Sequence, residues 1–358
     1  VSIFFSVPSA LKIPQKSPVF VASAPARARS ETYTTCGSGD LSVILGRLHG
    51  AEGIVPFRTT GLVGNDFYVL GIPWSASYLL DGKRPVLFES GFSCAGRLYE
   101  ETARTVLGER LPEILFLTHV HYDHCGATDY LKRAFPGLKV AASGRAAAIM
   151  ERPNAHKLMM ELSRNALSLV DSADPIDPSK LVTEPFRPFG IDIIVDEGQT
   201  VELGDATVQV LATPGHTRDM LSFYIPEKRI LVATESTGCQ DRTGRIISEF
   251  LVDYDAYLSN LKRLASLPVE ILCQGHHVVW TGAEEVRDFF TRSIDAAERF
   301  REKVERFLTE DEGSIDRVVA RVKAEEYDTN TLVKQPEAAY LLNLRTQVAH
   351  LAGRMGKG

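Results

Sequence analysis

Two strand-rich halves with helices outside them predict an α/β protein. The arrangement suggests an αββα four-layer sandwich, with ligands on one edge and a C-terminal helical extension. Three observations carry this. Short apolar runs between Phe67 and Cys273 alternate with helical patterns. From about Glu284 the apolar residues recur at three- and four-residue steps. And one polar cluster, Thr118-His119-Val120-His121-Tyr122-Asp123-His124-Cys125-Gly126, stands where an apolar run gives way to a helix. That junction is a favoured place for a site in layered α/β proteins.

The elements follow in order. Residues Val1 to Ser30 hold no acid, four basic residues and many Ser, Pro and Ala. Pro8, Lys12, Pro14 and Lys16 interrupt the apolar stretch that an export signal needs. We therefore expect a disordered extension over residues 1–35, a sandwich domain over 36–284 and a helical region over 285–358. Tyr68-Val69-Leu70, Ala76 to Leu80 and Val86-Leu87-Phe88 predict a meander, and Arg97 to Leu107 a helix. Ile114-Leu115-Phe116-Leu117 is the strand before the polar cluster. Ala127 to Phe135 follows as a helix closed by Pro136-Gly137. Lys139 to Ala142 is a strand and Gly144 to Met150 opens a helix.

The stretch from Arg152 to Phe189 is long for a connection. It carries Met159, Met160, Leu162, Leu167 and Leu169 at mostly helical spacing, which predicts a helix that either lies over the cleft or simply packs in the core. A second set of strands is expected from Ile193: Val201 to Leu203, Thr207 to Leu211, Leu221 to Ile225 and Ile230 to Ala233. Asp255 to Ala265 reads as a helix and Val269 to Cys273 as the last strand. Phe290, Ile294, Ala297, Val304 and Phe307 mark a long helix broken at Glu310-Asp311-Glu312-Gly313. Ser314 caps the next helix, and Pro336 opens a final one with Leu341, Leu344, Val348 and Leu351. Their apolar faces could dock on the sandwich, cover the site or join two copies as a homodimer.

Composition narrows the class. The chain has 358 residues, 44% of them hydrophobic and 24% charged, enough for a large core in an ordinary globule. A formal charge of −6 gives no general basic surface, so nucleic acid is not an expected partner. No apolar run reaches the ~20 residues that span a bilayer, so no membrane association is expected. Five cysteines, Cys36, Cys94, Cys125, Cys239 and Cys273, are odd in number and form no Cys-x-x-Cys pair. Free thiols in a reducing cytoplasm fit that pattern.

The polar cluster packs three imidazoles and a carboxylate into six residues. Imidazole nitrogen and carboxylate oxygen suit zinc, iron or manganese. Side chains at i and i+2 of an extended segment point the same way, so His119 and His121 can reach one ion. Asp123 continues that row and His124 turns off it as the helix starts. Two ions are the natural reading. Four such groups crowded together are costly to bury unless a cation or hydrogen bonds satisfy them.

At this point the chain resembles the metallo-β-lactamase superfamily, whose His-x-His-x-Asp-His motif follows an apolar strand. Three further motifs match in order. Thr213-Pro214-Gly215-His216-Thr217 follows the strand-like Val208 to Leu211. Arg229 to Glu235 is a strand ending in an acid. Ile271 to His276 supplies a late Gly-His. The resemblance covers about Phe67 to Thr281 and supports the four-layer fold, whose topology periodicity alone does not give. It implies a glyoxalase II-like binuclear site. One ion would use His119, His121 and His216, the other Asp123, His124 and His276, with Glu235 between them. The expected cofactors are two divalent ions, zinc first, with iron or manganese as alternatives.

The pattern departs in three places. The bridging acid is Glu235 where relatives have Asp, which moves the carboxylate by on the order of 1.5 Å. Asp241, in the following loop, is a weaker substitute. His276 and His277 are adjacent, and His276 matches the motif. The strand Pro85 to Phe88 ends in Glu89-Ser90-Gly91 where relatives commonly have Asp-x-Gly. Glu89 would then support a ligand, although a turn at Gly91 explains the sequence equally well. His49, His156 and His350 have no metal-binding setting.

Two close divalent ions bind and acidify a water, polarise a carbonyl or phosphoryl oxygen and stabilise the oxyanion that follows. The expected activity is hydrolysis by a metal-bridging hydroxide held near Asp123 and Glu235, with Asp123 orienting it. A small thioester, ester or lactone is the leading substrate class, by elimination and analogy. An iron-dependent oxygenase of the same fold, or a metal-retaining regulator that binds a small molecule, are the alternatives. Tyr122 and His277 are the candidates for a proton donor.

Overall fold

The computed structural model describes residues 61–356 except 65, 73–74, 174–175, 242, 277 and 331–334, with backbone only at 167–173. The expected extension over residues 1–35 lies outside the described residues, as do His49 and His277.

The first sheet contains β1 (Gly61–Gly64), β2 (Phe67–Ile72), β3 (Ser75–Leu80), β4 (Val86–Phe88), β5 (Ile114–Phe116), β6 (Lys139–Ala142) and β7 (Ile193–Ile194), adjacent in chain order. The first four strands pair antiparallel, and β4 to β7 run parallel. The second sheet holds β8 (Thr200–Glu202), β9 (Thr207–Ala212), β10 (Leu221–Ile225) and β11 (Ile230–Val232). A small hairpin follows, β12 (Cys239–Gln240) with β13 (Ile246–Ile247). Then β14 (Ile271–Cys273) and β15 (Val279–Thr281) complete the second sheet, in spatial order β15-β14-β11-β10-β9-β8. Only β11 and β14 pair in parallel among them.

Strand alternation builds the layers. Val86, Phe88, Ile114 and Phe116 face inward and meet Phe223, Ile230, Val232 and Cys273 of the other sheet. The residues between them, Leu87 and Leu115 on one side and Leu231 and Leu272 on the other, face the helices. Both faces of the central strands are thus buried, which explains their unbroken apolar sequence.

Helices α1 (Gly96–Leu107), α2 (Tyr122–Cys125), α3 (Thr128–Ala134), α4 (Gly144–Met150) and α5 (Pro153–Ala173) lie on the first half of the chain. Tyr99, Leu131, Ala146 and Met159 from four of them cover the outer face of the first sheet. The insertion predicted after Arg152 is α5, which packs against α2, the turn that carries Asp123 and His124. The outer face of the second sheet is covered by α6 (Tyr254–Ala265), α7 (Ala283–Glu310), α8 (Ile315–Glu326) and α9 (Glu337–Met355). Tyr257, Phe289, Val304, Val318 and Val348 share one core with Leu231 and Leu272. Of the three uses foreseen for the apolar faces of these helices, docking on the sandwich is the observed one. Ser314 caps α8 through a side-chain bond from the Arg317 amide, as its position suggests.

Two strand assignments change. Ile193, expected to open the second set, pairs with Ala141 and forms the edge of the first sheet. A two-residue strand after a long connection has no periodicity with which to declare its sheet. Val269 to Cys273 shortens to β14 and is not the last strand, because Val279 to Thr281 folds back on it. The β12–β13 hairpin is likewise too short to leave an alternating pattern.

Phe223 joins the sheets, its ring 5.0 Å from Phe116 and 5.9 Å from Phe88. Phe223→Ala should lower unfolding free energy by ~3–5 kcal/mol, as buried Phe-to-Ala changes do. Urea denaturation checks this; a loss below ~1 kcal/mol would contradict the packed inter-sheet core.

Candidate metal centre

The strands that run parallel within each sheet end on one edge. β5 leads into Thr118 to His124. β9 is parallel to β11, since both are antiparallel to β10, and leads to His216. β11 leads to Glu235 and β14 to His276. The two edges are joined where the Leu221 amide donates to Thr118 O at 2.8 Å. The hydroxyls of Thr118 and Thr234 lie 3.1 Å apart across the same seam.

All seven side chains singled out from sequence converge there. His119, His121 and His216 place one ligand atom each within 4.8 Å of one another, and so do Asp123, His124 and His276. His216 Nε2 is 3.2 Å from His121 Nδ1. Glu235 sits between the sets, its Oε1 2.7 Å from His124 Nε2 and 2.8 Å from His276 Nε2, its Oε2 3.9 Å from His119 Nε2. β11 stops at Val232, and Glu235 is carried by a 3-10 turn over Thr234–Thr237. Asp241 lies away from the cluster; its Oδ1 accepts from the amides of Thr243 and Arg245 in the hairpin turn.

The donor chemistry suits a cation. His119 Nε2, His124 Nε2 and Glu235 Oε2 are buried with no hydrogen-bond partner. His124 Nε2 meets Glu235 Oε1 as an ion pair at 2.7 Å. Buried polar atoms without hydrogen-bond partners are unfavourable unless something satisfies them, and a cation held among these three would do so.

The opposite ring edges are tied down. His124 Nδ1 is 2.7 Å from Glu89 Oε2, and the Thr118 amide donates to Glu89 Oε1 at 2.7 Å. Glu89, with φ at +61°, therefore orients the His124 ring. His216 Nδ1 donates to Glu249 O at 2.5 Å. Such partners set the tautomer and aim the remaining nitrogen. Ser75 Oγ donates to Asp123 O at 2.6 Å, and the Val120 amide donates to Asp219 Oδ2 at 3.0 Å. Gly275, at φ +88°, lets the chain pass where a Cβ would come within 3.1 Å of Thr234 and 3.3 Å of His124. At Gly215 a Cβ would lie 2.5 Å from the Tyr257 backbone.

Electrostatics divides the imidazoles. Burial, then the neighbouring rings of His124 and His121, hold His119 well below the usual imidazole range. Burial also lowers His216, to about 4, although the Glu235 charge opposes it. Burial disfavours a proton on His124 too, but the carboxylates of Glu235 and Asp123 outweigh it and lift its pKa well above 6.5. Half-buried Glu249 is pushed up to about 7, by burial first and then by Glu235.

Sequence reading missed Glu249, Ser75 and Asp219. Glu249 and Ser75 involve main-chain carbonyls and Asp219 a main-chain amide, and main-chain groups leave no residue signature. Cys125 is fully buried among apolar side chains and packs rather than lining the site. His156 and His350 lie outside the cluster and bond backbone groups, Met150 O and the Tyr254 amide respectively.

The model of the metallo-beta-lactamase superfamily matches residues 75–276. An atrochrysone carboxyl ACP thioesterase of Aspergillus fumigatus is 26% identical over 241 residues, 66% of this chain and 58% of that protein. A hydroxyacylglutathione hydrolase of Ruegeria pomeroyi is 28% identical over 171 residues, 41% of this chain and 62% of that one. The chain thus spans about three-fifths of the length of these two relatives. Among solved structures, a metallo-beta-lactamase family protein from Thermus thermophilus superposes with a TM-score of 0.55 at 18% identity, covering 83% of this chain and 95% of that one. It shares the fold. With more than half its length matched by the family model and its donor residues gathered on the expected edge, the chain belongs to the metallo-beta-lactamase superfamily.

Proposed function

We infer that this protein is a metal-dependent hydrolase that cleaves a thioester, the member of the expected thioester, ester and lactone group that its relatives favour. The observation that carries the reading is the pair of three-donor sets with the Glu235 carboxylate between them. Relatives named as a thioesterase and a hydroxyacylglutathione hydrolase support the thioester bond as the target.

His119, His121 and His216 would hold one ion, and Asp123, His124 and His276 the other, with Glu235 contributing to both. Zinc is the expected metal for such nitrogen-rich sets. When bound, the ions acidify a water and polarise the substrate carbonyl. The chain's own groups do the rest. Asp123 has a side chain 22% exposed, against 4% or less for Glu235 and His124, so it is the more accessible carboxylate of the two. Its Oδ2, 3.8 Å from His276 Nε2, would orient the attacking water and take its proton, which then passes to the leaving thiolate. Glu89 and the Glu249 carbonyl keep His124 and His216 from rotating. A small-molecule substrate is the expected partner. Every donor of the second set is present, which favours hydrolysis over the iron-oxygenase alternative. No helix among the described residues is long and apolar enough to cross a membrane.

Elemental analysis of protein purified without added metal, followed by thioester, lactone and phosphodiester assays, tests this. About two ions per chain with thioester turnover is the expected result, as for two-metal hydrolases. Fewer than one ion and no turnover after metal is restored would replace it with a binding protein. His121→Ala should lower turnover by more than the ~10–100-fold that loss of a ligand's supporting partner brings. Circular dichroism should remain native, and unchanged turnover would remove His121 from the site.

The imidazole shifts give a further expectation for metal-stripped protein. His124 should keep its proton above pH 6.5, and His216 should stay neutral down to about pH 4. Side-chain NMR titration reads both, and the reverse order would contradict the electrostatics described. The contribution of the raised His124 to stripped-protein stability is full below pH 6.5 and fades as pH rises through its folded value.

A further inference from the structure

We propose that Gln274 is a positioning residue for the metal centre: it clamps the loop that carries His276 to the loop that follows Glu235. The inference rests on the metal-centre reading above.

Gln274 follows β14 and is fully buried. Its carboxamide makes four hydrogen bonds. Nε2 donates to His276 O at 2.7 Å and to Gln240 O at 2.9 Å. Oε1 accepts from the Gln240 amide at 3.1 Å and from Trp280 Nε1 at 3.0 Å. Two donors and two lone pairs are the full capacity of this group. Reversing the amide would set oxygen against two carbonyls and N–H against two N–H groups, so the network admits one orientation.

The partners lie on two different segments. Gln240 is in β12, on the chain leaving the Glu235 turn, and its amide and carbonyl both bond the same carboxamide. His276 O and Trp280 are on the chain leaving β14. One side chain therefore sets the spacing between Glu235 and His276, which approach to 2.8 Å. Cys239 Sγ adds a bond to Gln274 O at 3.1 Å.

Helix α7 backs this clamp. Arg292 donates to Gln240 Oε1 at 2.9 Å and lies over the Trp280 ring at 5.4 Å. Trp280 stacks on Phe289 with centroids 4.8 Å apart. Ser293 Oγ donates to Thr237 O, in the Glu235 turn itself. Helix α7 and the donor set are thus coupled both through the Gln274–Gln240 network and directly through Ser293.

The test uses the full chain as wild type, Gln274→Met, Gln274→Glu and, for reference, His276→Ala. Each is loaded with zinc and dialysed against graded chelator. Bound zinc is counted by elemental analysis, and the melting temperature of the metal-free form is measured alongside. Both Gln274 variants should shed one ion at roughly 10–100-fold lower chelator concentration than wild type and keep the other, the pattern expected of His276→Ala. If Gln274→Met fails to fold, Gln274→Glu, which keeps the volume and both acceptor bonds, carries the test. A lower metal-free melting temperature with both ions held as in wild type, or both ions lost together, would reduce Gln274 to a structural residue and overturn the proposal. Wild-type protein holding fewer than one ion would instead overturn the metal-centre reading beneath it.

Discussion

The demand of one buried carboxylate organises the functional edge of this fold. Glu235 is 3% exposed, and burial alone would push a proton onto it. The positive charge of His124, with the close ring nitrogens of His124 and His276, reverses that and holds it ionised. Glu89 orients the His124 ring in turn, and the Gln274 carboxamide bonds the main chain of His276. Backbone strain collects at the same places. Glu89 and Thr234, the residue before Glu235, both adopt left-handed conformations without being glycine, at φ +61° and +45°. Such conformations are unfavourable by ~1–3 kcal/mol each and persist where surrounding contacts over-determine them.

Much of the site was legible in the sequence because metal chemistry admits few residue types. His119, His121, Asp123 and His124 are crowded within one motif, and His216, Glu235 and His276 each follow an apolar run. Central strands were legible for a related reason: Val86 to Phe88, Ile114 to Phe116 and Ile230 to Val232 are buried on both faces, so their composition is extreme. What stayed hidden was carried by groups without a signature. The Glu249 carbonyl that turns His216 could belong to any residue. β7 and the β12–β13 hairpin are two residues per strand, below any periodicity. Gln274 reads as an ordinary polar residue between Cys273 and Gly275 until its four bonds are seen.

The helical half beyond the last strand is joined to the chemistry more closely than its charged surface pattern suggests. Its apolar stripe shares a core with Leu231 and Leu272, the outward residues of the two strands that lead to Glu235 and His276. Its polar residues also reach the loops of the centre: Gln347 of α9 donates to Ser248 O at 2.6 Å, beside Glu249. On the opposite flank α5 packs on the turn bearing Asp123 and His124. The donor set is therefore held from both outer layers.

Because the donors come from both halves of the sandwich, the centre has a birth order. His119 to His124 leave the ribosome roughly 150 residues before His276. At typical elongation rates that interval is on the order of 10 s. During it the early motif is a grasping fragment with imidazoles but without Glu235 or its opposite wall. The complete donor set therefore exists only once both halves of the chain have been made and have docked.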